Sequence, residues 1–187
     1  MVSARKDLPA TYADLEALAP NLIGELIDGE LFASPRPAYP HGRAQSKLMS
    51  GLGPPFDDGN GGPGGWVLLV EPELHFGTSV VVPDLAGWRR ERWPGPPNTA
   101  FFELAPDWLA EVHSPSTRRL DRGRKLAVYA RARVPHIWFV APDDQLLEVL
   151  ELDGDTYRIV QTAEADDKIR ARPFDAIELD LARLWQL

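Results

Sequence analysis

Two carboxylates lie inside apolar runs. Asp84 ends the stretch Val81, Val82, Pro83, Asp84, and Glu111 sits within Trp108, Leu109, Ala110, Glu111, Val112. A charge in a buried strand is costly unless it is paired or holds a cation. Two carboxylates delivered by neighbouring strands suit a hard ion such as magnesium, which takes oxygen ligands, polarises a phosphate and lowers the pKa of a bound water. The alternative for each is an ion pair with a nearby arginine. Hairpin geometry suggests a third carboxylate. If Gly77 to Val80 form the turn so that Phe76 faces Val81, then Glu73 falls directly across from Asp84. Two like charges on one face would call for a cation between them, making Glu73 a further metal ligand, although a slip of one residue removes the argument.

The remaining chemistry is electrostatic. From Arg118 to Arg133 the chain carries seven basic residues against Asp121 alone, a window of +6 in a protein whose formal net charge is −8. Bulk charge therefore argues against a histone-like binder, while Arg118, Arg119, Arg122 and Arg124 form a basic stripe fit for phosphate contact or for a solvated helix face. Cysteine is absent, which excludes disulfides, thiolate metal sites and a cysteine nucleophile. His41, His75, His113 and His136 lack zinc-ligand spacing, and Ser114 and Ser116 lie in a Pro-containing turn with no G-x-S-x-G elbow. No phosphate-cradling or dinucleotide glycine pattern occurs.

These groups need elements to hold them. With 44% hydrophobic residues, the 187-residue chain can bury one core, so residues 1–187 are expected to form a single domain. No apolar run is long enough for a membrane span or a signal-peptide core, which predicts a soluble, cytoplasmic protein. Thr11 and Asp14 frame a capping box for a helix over Tyr12 to Leu18, and Asp28-Gly29 marks a hairpin within Gly24 to Ala33. Ala44, Leu48 and Leu52 give His41 to Leu52 a helical apolar face, with His41 and Gln45 one turn apart. The Gly- and Pro-rich stretch Gly53 to Gly65 reads as a mobile surface loop. Strands are expected over Trp66 to Phe76, Val80 to Gly87, Asp107 to Val112 and His136 to Ala141, with a hairpin of Leu146 to Leu152 and Tyr157 to Thr162 around Asp153-Gly154. Helices are expected over Arg118 to Arg131 and Asp180 to Trp185. This order implies an α/β domain, a mixed sheet flanked by helices.

The string VVPDLAGW, followed by ELAPDWLAEVHSPSTRRLDRGRKLAVYARARVPHIWFVAPDD, resembles the Uma-type restriction endonucleases, a branch of the PD-(D/E)XK nuclease superfamily. The resemblance begins at GELIDGEL and covers roughly residues 12–185. It is carried by PD, then EV with SPST, then Asp121, Lys125 and Tyr129 at four-residue intervals, then the strand ending in Pro142. It implies a restriction-endonuclease-like fold and a metal-dependent endonuclease that hydrolyses phosphodiester bonds in DNA, with magnesium, or manganese, as cofactor. Asp84 matches the aspartate of the PD element and Glu111 the acid of the (D/E)XK element. His113 stands where the lysine of that element belongs; in this branch the lysine comes from the next helix, as Lys125, whose amine would stabilise charge on the phosphate or place the attacking water. Glu25 matches the first acid of ELIDGEL, with Glu30 as the alternative, and His113 becomes a local acid or phosphate ligand. Cutting both strands of a duplex with one-site subunits favours a homodimer. The rival reading is a non-catalytic nucleic-acid-binding or interaction module that keeps the fold.

Overall fold

The computed structural model describes residues 8–186. Two sheets carry the fold. Strands β1 (Leu22–Ile27) and β2 (Glu30–Pro35) form the expected hairpin, and its turn places Asp28 and Gly29 at φ 51° and 80°, the left-handed pair that a two-residue hairpin demands. They join β5 (Ser79–Val81), β4 (Glu73–Phe76) and β7 (Phe101–Phe102) in a five-stranded sheet of order β2-β1-β5-β4-β7. The larger sheet has the order β11-β10-β9-β8-β6-β3, built from β3 (Trp66–Val70), β6 (Leu85–Arg89), β8 (Trp108–Val112), β9 (His136–Ala141), β10 (Leu146–Asp153) and β11 (Thr156–Glu164). Its pairs are antiparallel except β8 with β9. A short pair, β12 (Lys168–Ile169) and β13 (Leu179–Asp180), lies near the end of the chain.

The helices cover the large sheet as the alternation of its strands requires. Trp108, Ala110 and Val112 of β8 and Trp138 and Val140 of β9 face one core, shared with Ala44, Leu48 and Leu52 of α2 (Tyr39–Leu52) and with Phe174, Leu181 and Leu184. Leu109, Ile137 and Phe139 face the other, shared with Ile27, Leu74 and Val81 of the small sheet. Val128 and Tyr129 of α4 (Leu126–Arg131) complete that second core. All five residues of β8 are buried, so Glu111 is carried by a strand covered on both faces. α1 (Tyr12–Glu16) keeps the expected capping contact, Thr11 N–H donating to Asp14 Oδ2 at 2.9 Å, and α5 (Ala182–Trp185) is the last helix. Among the described residues no helix is long and apolar enough to cross a membrane.

Four expectations need correction. Trp66 to Phe76 is not one strand: Glu71 takes a left-handed φ of 49°, and β3 and β4 separate into different sheets. Val80 to Gly87 divides likewise at Pro83, which lacks the N–H that a ladder needs, into β5 and β6. The hairpin of β4 and β5 pairs Leu74 with Val81 and Phe76 with Ser79, leaving Gly77 and Thr78 as a two-residue turn, so the register that put Glu73 opposite Asp84 does not form. Finally, Gly53 to Gly65 is partly packed. Gly53–Asp57 makes a π turn continuing from α2, and Phe56, 1% exposed, meets Phe174 at 4.6 Å.

Candidate active site

Asp84 lies in the connector by which the chain passes from the small sheet to the large one, and Glu111 lies on the β8 face that looks toward the small sheet and α4. Lys125 comes from the run between Arg118 and Arg131. That run is one continuous helix with a π turn, Asp121–Lys125, inserted between α3 (Arg118–Leu120) and α4. Such widened turns recur at functional sites because they reset the angular position of the side chains that follow. Glu25 points in from β1. A cavity of about 320 Å³ is lined by Glu25, Asp84, Glu111, Asp121 and Lys125, with His41 of α2 at its wall.

The contacts inside are short and largely buried. Lys125 Nζ lies 2.8 Å from Glu111 Oε1, 2.9 Å from Glu25 Oε1 and 3.5 Å from Asp121 Oδ1, and it donates to the Val82 carbonyl at 3.4 Å. Tyr129 Oη donates to Glu111 Oε1 at 2.5 Å, and Val82 N–H donates to Glu25 Oε1 at 2.8 Å. Asp84 is held separately: His41 Nε2 meets Oδ1 at 2.6 Å, Val112 N–H donates to Oδ2 at 2.6 Å, and Gln45 Nε2 donates to its main-chain carbonyl at 3.0 Å.

Burial sets the protonation chemistry. Loss of solvent pushes the Glu111 carboxyl well above its usual range, an effect that the Lys125 charge opposes. The same burial raises Asp121 to about 6, again against the pull of Lys125. For Lys125 burial works downward, but the carboxylates of Glu111 and Glu25 outweigh it and hold the amine well above its usual value. Tyr129, raised by burial and by Glu111, keeps its proton as a donor.

The structure brings Asp84, Glu111, Lys125 and Glu25 to one cavity. Glu30, the alternative to Glu25, is on the surface, paired with Arg124 at 2.8 Å. Glu73 is elsewhere, its Oε1 accepting from Tyr12 Oη at 2.8 Å and meeting His75 Nε2 at 2.7 Å. His113 lines a neighbouring cavity of about 200 Å³ with Arg118, Asp143 and Asp144, and its ring packs on Phe139 at 4.6 Å. Among the described residues both its ring nitrogens are buried without partners, and burial, with Arg122 and Arg118 nearby, lowers it to about 3. The basic stripe is largely neutralised: Arg118 pairs with Asp144, Arg122 with Glu148, and Arg124 with Glu30. Arg119 is exposed, with no ion pair or side-chain hydrogen bond among the described residues. Sequence reasoning missed the role of Tyr129 as a donor to Glu111. Its four-residue spacing from Lys125 was the available signal, placing both on one helical face.

Compared with known families, residues 9–182 match the model of Uma2, described as putative restriction endonuclease. The chain belongs to the Uma2 family. No curated protein matches it. Among solved structures, a putative nuclease belonging to DUF820 from Anabaena variabilis is similar, with a TM-score of 0.75 and 22% identity over 95% of this chain and 98% of that one. At that identity the likeness establishes the fold, which is restriction-endonuclease-like, and the family match supports nuclease function for the Uma2 chain.

Proposed function

We propose that this Uma2 chain is a divalent-metal-dependent endonuclease that hydrolyses phosphodiester bonds in DNA. The observation that carries the reading is the convergence of Asp84, Glu111 and Lys125, from a connector, a strand and a helix, on one cavity. Nothing in the packing of a stable core requires three buried charges to meet there.

The donor set fits a hard cation. Asp84 and Glu111 offer carboxylate oxygens and would hold magnesium or manganese, which when bound would polarise the phosphate and acidify a water. Among the described residues no group of three or more acid or histidine side chains forms a ready-made cage, so water and substrate oxygens would complete the shell, as magnesium usually requires. Lys125 supplies a fixed positive charge for the phosphate, kept protonated by Glu25 and Glu111. Tyr129 orients Glu111 from behind, and Glu25 holds both the amine and the Val82 amide. Arg119, and the paired arginines once their carboxylates exchange for phosphates, would carry flanking backbone contacts. Two such sites in a homodimer would serve both strands.

The test is nicking and linearisation of supercoiled plasmid with magnesium or manganese against an EDTA control. Asp84→Asn and Glu111→Gln should abolish cleavage while leaving the fold intact. Lys125→Met should lower turnover of the folded protein by a factor on the order of 10² or more. A wild-type protein that binds DNA under both metals and cuts none of several substrates would replace this reading with that of a binding module.

A further inference from the structure

α2 is anchored in the core by Ala44, Leu48 and Leu52, each 0–1% exposed. Its first turns reach the connector that carries Asp84. His41 and Gln45 sit at i and i+4, on one face of the helix, and both bond to the same residue. His41 Nε2 donates to the carboxylate at 2.6 Å, and Gln45 Nε2 donates to the main-chain carbonyl at 3.0 Å, which also accepts from Glu71 N–H at 3.0 Å. The same Gln45 amide meets Glu71 Oε1 at 3.3 Å, tying down a residue in the left-handed region. Asp84 needs this support, because it follows Pro83 between the end of β5 and the start of β6 and belongs to neither strand.

His41 is poorly explained as a core residue. It is 8% exposed, and its Nδ1 is buried with no partner among the described residues, so Asp84 is the polar group that orients its ring. An apolar side chain would fill that place without an unsatisfied nitrogen. Val112 N–H fixes the opposite oxygen of Asp84 from β8, the strand that bears Glu111.

We propose that His41 and Gln45 are positioning residues: the first sets the Asp84 carboxylate, the second its main chain, so that the carboxylate faces the cavity shared with Glu111 and Lys125. This rests on the reading of Asp84 as a metal-holding group. Groups that hydrogen-bond metal-ligating side chains from behind govern affinity without touching the ion.

The test uses the full chain and two readouts: calorimetric titration with Mn²⁺, and the ¹H–¹⁵N resonance of the Val112 amide in metal-free protein, which reports the carboxylate position directly. His41→Ala should weaken Mn²⁺ binding by roughly tenfold or more and shift the Val112 resonance. His41→Gln, whose amide nitrogen reaches the place of Nε2, should recover most of both. His41→Asn, whose amide stops at the place of Nδ1, should behave as His41→Ala, and it carries the test if the alanine variant does not fold. Gln45→Ala should weaken Mn²⁺ binding less than His41→Ala. Unchanged Mn²⁺ affinity, an unmoved Val112 amide, or a folded His41→Gln as impaired as His41→Ala would each overturn the proposal. A wild-type chain that binds no Mn²⁺ would remove the metal-nuclease reading instead, and the Val112 amide alone would then decide whether His41 positions Asp84.

Discussion

Replacing Lys125 with methionine keeps an unbranched side chain, one atom shorter, and removes its charge. In the wild type that charge is 3% exposed, with Glu111 and Glu25 within 2.9 Å and Asp121 at 3.5 Å. Removing one member of a buried ion cluster leaves the others uncompensated, which costs about 3–5 kcal/mol. Protonation offers relief. Glu111 and Asp121 already hold their protons more tightly than usual because of burial, and loss of the lysine raises both further. A carboxyl whose folded pKa lies above its unfolded one contributes stability at low pH that is lost as pH rises through the folded value. With Asp121 at about 6 in the wild type, the variant should lose stability more steeply than the wild type between pH 5 and pH 8. Urea unfolding followed by tryptophan fluorescence at the two pH values measures both slopes. The gap between variant and wild type should be near the full cost at pH 8 and smaller at pH 5. A loss under about 1 kcal/mol at pH 8, in the range of an exposed pair, or a gap independent of pH, would refute the buried-cluster account.

His113→Phe should change the acid limb in a defined direction. Burial lowers His113 to about 3, so the wild type loses stability as pH falls from 6.5 toward that value, and the variant should lose less when urea midpoints at pH 7.5 and 4.5 are compared. Arg119→Gln should reduce the salt dependence of DNA binding by about 0.9 in log–log slope, the loss of one phosphate contact. Arg124→Gln, which also breaks a pair with Glu30, should change it less in the same filter-binding series. Phe174→Ala should cost about 3–5 kcal/mol by chemical denaturation, because its ring meets those of Phe56, Trp66, Trp108 and Trp138 at 4.6–5.6 Å.

Local patterning was legible where one element answered to one signal. The Asp28-Gly29 hairpin, the apolar stripe of α2 and the buried run around Glu111 each needed no distant partner to be recognised. What failed depended on which sheet a strand joins, and alternation along a strand carries no information about that. Pro83 was the available warning that Val80 to Gly87 could not remain one ladder. Phe56 shows the converse: a segment rich in Gly and Pro packs when one large ring finds an aromatic pocket supplied from Trp66 and Phe174. The arginine stripe was visible, but not its neutralisation, because Asp144, Glu148 and Glu30 come from other parts of the chain.

The parallel pairing of β8 with β9 has a consequence for biosynthesis. Glu111 is flanked by β6 on one side, made earlier, and by β9 on the other, which ends 30 residues later at Ala141. At about 5–20 residues per second of translation, the strand bearing Glu111 waits roughly 2–6 s for its second neighbour. During that interval Asp84 and Glu25 have already been made, yet Glu111 has no finished sheet to hold it against them. A ribosome-bound chain therefore passes through an interval in which its acidic groups exist without their assembled geometry, and the cavity they line forms only with closure of the central sheet.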